Sequence, residues 1–257
     1  MNAKILVSAV ALAAMLGACT SPREQALNRQ SRAAERTLER IGSIGDPGRV
    51  AAADFAFARQ ARERGQWTAF AATAAPGAML HGRNGLIEAA PWLAAQDDPE
   101  ESVVWGPNTV WSSCDGTLAV TFGRFQDPEG LVGSYVTVWE LQGDGSYKWI
   151  YDMGAQDNPQ PPPPEDPDIP EGAIVVPGLT AINGMVADCP RAGEEQPEVY
   201  VPLMPMAESG GRFSEDRTLR WDWFQTASGQ RSVIVNWIRD GEVQRALGWT
   251  APLPLEN

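Results

Sequence analysis

Between residues 103 and 153 the apolar residues recur with a period of two, and this constrains the fold more than any other feature of the chain. The runs 103–113, 117–126, 131–141 and 146–153 alternate as strands do. Asp115-Gly116 and Gly143-Asp144-Gly145 are tight-hairpin signals, and residues 127–130 supply the turn between them. Four such runs with short turns predict an antiparallel meander. In the third run Tyr135, Thr137, Trp139 and Leu141 face one way and Val136, Val138 and Glu140 the other. Both faces are largely apolar, so the sheet needs cover on one side and at least part of the other.

The preceding segment is helical in pattern. Asp46 is an N-cap acceptor followed by Pro47, which predicts a helix over 48–64 that Gly65 stops. A second helix is predicted over 67–75, ended by Pro76, and a third over 85–95. Three helices followed by a meander give an α+β fold with the helices on one face of the sheet.

The residues carry a resemblance consistent with that order. Ala53-Asp54-Phe55-Ala56-Phe57, Gly65-Gln66-Trp67-Thr68-Ala69-Phe70 and Gly85-Leu86-Ile87-Glu88-Ala89 are similar to the helical half of NTF2-like proteins of the DUF4440/SnoaL-like type. Val104-Trp105-Gly106-Pro107, residues 133–139 and Asp144-Gly145-Ser146-Tyr147-Lys148-Trp149 are similar to the strand half. The resemblance covers about residues 48–155 and implies a cone, helices packed in a curved antiparallel sheet with a pocket at the open end. Members of that family include isomerases, cyclases and dehydratases that use pocket carboxylates, so it speaks to fold more than to activity.

The N-terminus gives an address. Lys4 precedes an apolar run over 5–16, which ends in Leu16-Gly17-Ala18-Cys19. This resembles a bacterial lipoprotein signal. The resemblance implies cleavage before Cys19, acylation of that residue, and retention at the periplasmic face of the outer membrane, since Thr20 rather than Asp follows. Residues 20–64 carry nine Arg against six acids, whereas the whole chain has a net charge of −13. A weakly basic tether beside anionic lipid and an acidic body held away from it fit that geometry. The same acidity argues against nucleic-acid binding.

The expected organisation is a signal peptide over 1–18, a tether over 19–45, the NTF2-like domain over 46–156, a proline-rich linker over 157–172 and a small β-rich domain over 173–257. In the last, 218–225, 232–239 and 243–249 read as the firmest strands and 172–186 and 198–204 as weaker ones. No internal repeat stands out.

Chemistry is sparsely marked. One His and three Cys exclude a conventional zinc site, and no phosphate loop or nucleophile elbow is present, so no metal or other cofactor is expected. With Cys19 acylated, Cys114 and Cys189 are a candidate disulfide in an oxidising compartment, or else two buried thiols.

Val50, Asp54, Phe57 and Ala61 share one helix face. Asp54 is thus either a desolvated carboxylate able to act as a base, or an edge residue if Ala51, Phe55 and Ala58 point inward. His81, expected in a loop, Tyr135 and Asp152 complete the candidate acid–base set. Trp105, Trp111, Tyr135 and Trp139 are candidates for stacking on a glycan or flat apolar ligand, or for filling the core.

The favoured reading is a lipid-anchored envelope protein, monomer or homodimer, that binds a small apolar, glycan or protein ligand without turnover. The alternative is an isomerase- or dehydratase-type enzyme using a pocket carboxylate.

Overall fold

A computed structural model of the 257-residue chain describes residues 44–162, 181–191, 197 and 208–253. The elements run α1 (Pro47–Arg64), α2 (Gln66–Thr73), β1 (Ala74–Gly82), β2 (Gly85–Glu88), α3 (Ala89–Leu93), β3 (Val104–Ser112), β4 (Leu118–Gln126), β5 (Val132–Leu141), β6 (Tyr147–Gln156), β7 (Asn183–Val186), β8 (Glu208–Phe213), β9 (Leu219–Gln225), β10 (Arg231–Arg239) and β11 (Glu242–Thr250). The lipid-attachment candidate Cys19, the tether, most of the linker and the strand expected over 198–204 lie outside the described residues. Among the described residues no helix is long and apolar enough to cross a membrane.

The α+β cone expected from the sequence is corrected. The chain is mostly β, with three helices among the described residues, a seven-stranded mixed sheet and a four-stranded sheet; it is not a helix-plus-sheet NTF2-like cone. The first sheet has the order β2-β1-β6-β5-β4-β3-β7 and the second β11-β10-β9-β8. Two segments account for much of the difference. Residues 74–82, expected to finish a helix and enter a loop, form β1, which pairs in parallel with β6. The register shifts between Ala74 and Met79. Pro76, which lacks an amide donor, and Gly77, at φ +74°, lie within that irregularity. Residues 85–88, expected to be helical, form β2. Gly82 pairs with Gly85, so Arg83-Asn84 is a two-residue hairpin turn. Only 89–93 of the third helix remains helical.

Local chemistry sets the helices. Asp46 Oδ1 accepts from the amides of Gly48 and Arg49 at the start of α1. Gly65, at φ +108°, separates α1 from α2. A Cβ there would lie 2.1 Å from Asp98 Oδ2. Without one, Asp98 Oδ1 accepts from the amides of Trp67 and Thr68, and Oδ2 accepts from the Thr68 hydroxyl. These hydrogen bonds to its charged form hold the Asp98 carboxyl below its usual range.

The first sheet is buried on both faces. On one, α1–α3 pack Val50, Phe57, Ala61 and Leu93 against Val110, Trp139 and Trp149. On the other, Val120, Val136, Val138, Tyr151 and Met153 meet Leu219, Trp221, Val233, Val235 and Trp237 of the second sheet. The two sheets therefore share one core, and the disulfide Cys114–Cys189 is closed across 75 residues.

The second sheet repeats part of the first. Ser113-Cys114-Asp115-Gly116-Thr117-Leu118 and Ser214-Glu215-Asp216-Arg217-Thr218-Leu219 share the pattern Ser-x-Asp-x-Thr-Leu, 101 residues apart. In each turn the Asp accepts from the Ser hydroxyl and from the Thr amide and hydroxyl. The turns also clasp each other reciprocally. The Asp115 amide donates to Asp216 Oδ2 at 2.8 Å and the Asp216 amide to Asp115 Oδ2 at 2.9 Å. The Cys114 amide donates to Thr218 Oγ1 and the Glu215 amide to Thr117 Oγ1. The β5–β6 ladder shifts register after Val138, and the β10–β11 ladder shifts after Val235, its counterpart in pairing. β3–β6 and β8–β11 are thus two versions of one meander stacked about a local two-fold.

Candidate functional site

The face of the first sheet that meets the helices is not completely filled. A cavity of about 330 Å³ remains, walled by Phe57 of α1, Trp67 and Phe70 of α2, Trp92 of α3, Leu80 of β1, Ile87 of β2, Trp105 of β3 and Phe125 of β4. Its lining is predominantly apolar and aromatic, with the polar groups of Tyr135, Asp152, His81 and Gln66 added. The aromatics support one another edge to face: Phe57 on Trp105 at 4.8 Å between ring centroids, and Trp67 on Trp92 at 5.0 Å.

Alternation along β5 and β6 places the polar groups. Val136 and Val138 point to the second sheet, which sends Tyr135 and Thr137 to the helix side. Thr137 pairs with Asp152 across the ladder, and the Thr137 hydroxyl donates to Asp152 Oδ2 at 2.7 Å. Tyr135 lies against β4, where a Cβ on Gly123 would come within 2.7 Å of its ring and 2.2 Å of the Gly106 carbonyl oxygen. Only glycine fits there.

Behind this wall is Asp54, fully buried on the inner face of α1. Its Oδ2 accepts from the Tyr135 hydroxyl at 3.0 Å and its Oδ1 from the Trp105 indole N–H at 3.0 Å. Phe55, by contrast, is exposed. Burial pushes the Asp54 carboxyl up to about 6, although the hydrogen bonds from Thr121, Tyr135 and Trp105 oppose the shift. Burial likewise pushes Asp152 up to about 7; Thr137 opposes this, and the negative charge of Asp54 adds to it. Burial first, and then the Asp54 charge, raise the Tyr135 hydroxyl well above its usual range. Two carboxyl groups that feel each other and titrate near neutrality therefore flank a phenol that is neutral at pH 7.

The other candidates sort differently. His81 lines the cavity from β1, but its Nδ1 is 2.8 Å from the Tyr151 hydroxyl and its Nε2 2.9 Å from Gln225 Oε1. The carbonyl oxygen of Gln225 can only accept, which puts the imidazole proton on Nε2 and makes Nδ1 the acceptor from Tyr151. Burial lowers the His81 pKa, so the ring is neutral and both nitrogens are engaged. It braces the two sheets and leaves no nitrogen for a ligand. Trp105 and Tyr135 reach the cavity. Trp111 and Trp139 do not: the first packs in the core between the sheets, and the second, buried under α1, donates its indole N–H to Thr121 Oγ1. Among the described residues no group of three His, Cys, Asp or Glu is placed to hold a metal ion.

Sequence reasoning missed Trp67, Phe70 and Trp92 as cavity walls and Thr137 as the residue that orients Asp152. The strand alternation that pairs Thr137 with Tyr135 on one face was the available signal for the second. No protein-family model matches the chain, and no curated protein matches it.

Proposed function

We propose that this cavity binds a small, mainly apolar carbonyl compound and moves a proton on it, in the manner of an isomerase. The observation that carries this reading is the pairing of Asp152 at the cavity wall with Asp54 behind Tyr135, both titrating close to neutrality.

The chemistry follows from the form of the pair that holds one proton. Asp152, the weaker acid of the two, holds that proton in the major form, in which Tyr135 donates to Asp54 Oδ2. The reactive form is the minor one, with the proton on Asp54 Oδ2, the carboxyl donating to the Tyr135 oxygen and the phenolic O–H turned to the cavity. Asp152 is then an ionised base beside it. Asp152 takes a proton from the carbon next to the ligand carbonyl. The electron pair of that C–H bond moves into a carbon–carbon double bond, and the carbonyl π pair shifts onto oxygen. Tyr135 donates a hydrogen bond to that oxygen, where charge develops in a low-dielectric site. Asp152 returns its proton to the far carbon of the conjugated system, the carbonyl re-forms, and the double bond has shifted. No net proton, electron or co-reactant is consumed.

The chain is further read as a lipid-anchored envelope protein, on the sequence around Cys19 and on a disulfide that suits an oxidising compartment.

The test uses a β,γ-unsaturated cyclic ketone, followed by the absorbance of its conjugated product. The full chain is expected to accelerate conversion over buffer, and Asp152→Asn to lower the rate about 10²–10⁴-fold with the fold intact by circular dichroism. Failure of the native chain to exceed buffer, together with failure to exchange deuterium into the α position of a saturated ketone, contradicts the reading.

A further inference from the structure

A second, larger cavity of about 730 Å³ adjoins the first and shares Val103, Phe125 and Gly154 with it. It opens beside Leu131 and Leu253, two of the few large apolar side chains left exposed. Its wall also carries two guanidinium groups, Arg83 from the β1–β2 turn and Arg231 from the start of β10.

Arg231 is only 5% exposed, which is uncommon for a cation without a counter-charge. It donates from Nη1 to the carbonyl oxygens of His81 and Gly154 and from Nη2 to Gly154. Its Nε–H and one Nη2–H have no acceptor among the described residues. Arg83 donates one bond, to Gln156 Oε1 at 3.3 Å. Neither guanidinium has a carboxylate at ion-pair distance among the described residues. Burial lowers the Arg231 pKa; Tyr151 opposes this, and the like charge of Arg83 adds a smaller lowering.

The carboxylates of the same wall are already engaged. Asp157 is paired with Arg124, and Asp127 accepts from the Leu131 amide and the Gln156 side chain. In a chain of net charge −13, two guanidiniums on one cavity wall, one of them buried and neither paired with a carboxylate among the described residues, are a cost to the fold that a bound anion removes.

We infer that Arg83 and Arg231 form an anion subsite at the entrance, and that the ligand is an amphiphile whose carboxylate-type end sits there while its apolar body reaches the aromatic cavity. This rests on the proposed role of the inner cavity as a ligand site, but not on any turnover there. Val103 and Phe125, which line both cavities, supply apolar surface where they adjoin, and Leu131 and Leu253 extend it in the outer one. The forked geometry of a guanidinium suits a carboxylate, which accepts two parallel N–H bonds.

Binding to the full chain is measured by titration calorimetry and by tryptophan fluorescence, with decanoate and with decanol, which has the same chain length and no charge. Decanoate is expected to bind at least about tenfold more tightly, as one charge-assisted bond allows. Arg83→Gln, at an exposed turn, is expected to remove most of that preference while decanol binding stays within twofold. Arg231→Lys, which keeps the charge but not the fork, is expected to weaken decanoate selectively. Equal binding of the two probes, or a preference unchanged in Arg83→Gln, overturns the anion subsite and leaves the inner-cavity reading standing. Binding of neither probe overturns both. A retained carboxylate preference without ketone turnover supports the subsite and contradicts only the proposed catalysis.

Discussion

At the scale of single residues, two carboxyl groups have different ways of being unusual. Asp54 is fully buried and is held by donors from Trp105 and Tyr135; Asp152 lines a cavity and has one donor, Thr137. A carboxyl whose pKa is raised on folding takes up a proton more readily in the native state. Its stabilising effect is therefore full below the unfolded value near 3.8 and is lost as pH rises through the folded value. The native chain is expected to lose stability between pH 4 and pH 8, about 3 kcal/mol from Asp54 and about 4 kcal/mol from Asp152, each taken alone. Asp54→Asn and Asp152→Asn should each flatten that slope, as measured by urea denaturation at several pH values.

The sequence left Asp54 between two helix faces, one shared with Val50, Phe57 and Ala61 and one that turned Phe55 inward; the exposure of Phe55 and burial of Asp54 decide for the first. What Asp54 touches was not legible. Its partners Trp105 and Tyr135 come from strands 51 and 81 residues away, and only tertiary packing brings them together. His81 shows the converse. A solitary histidine marks an acid–base candidate, yet Tyr151, 70 residues away, and Gln225, 144 residues away, occupy both its nitrogens.

At the scale of elements, the meander and α1 were legible from periodicity and caps, whereas 74–88 was not. Ala-rich composition and Leu86-Ile87 favour a helix there locally, but β6 offers an unpaired edge, and satisfying that ladder outweighs the local preference. The repeat between β3–β6 and β8–β11 escaped notice because its markers are few: four residues of a six-residue turn and a shared ladder irregularity. Two predictions belong here. Gly123→Ala is expected to destabilise the chain and to displace Tyr135, since the new methyl would overlap the Gly106 carbonyl and the phenol ring. Thermal unfolding, compared with the control Gly143→Ala, where a Cβ meets nothing within 4 Å, checks it. The Cys114–Cys189 bond closes a 75-residue loop, so Cys114→Ser with Cys189→Ser is expected to cost about 4 kcal/mol and lower the melting temperature by about 10 °C.

At the scale of the whole molecule, the second sheet covers the face of the first that the helices leave bare, and it delivers Arg231 to the entrance of the outer cavity. The sequence suggested two domains joined by a linker; the shared core follows from apolar residues on both faces of β5, which one helical layer could not cover. Outside the described residues, the proposed anchor makes its own prediction: Cys19→Ser should abolish palmitate labelling and release the chain from the membrane fraction.

The proposed proton transfer depends on a pair of carboxyl groups that keeps one proton near neutral pH. Carbon-13 NMR of the side-chain carboxyls of the full chain, with Asp54→Asn and Asp152→Asn for assignment, measures this directly. Two coupled steps close to pH 6 and pH 7, with each substitution lowering the remaining step, are the expected result. Titration of both groups below pH 5, with neither responding to loss of the other, would contradict it.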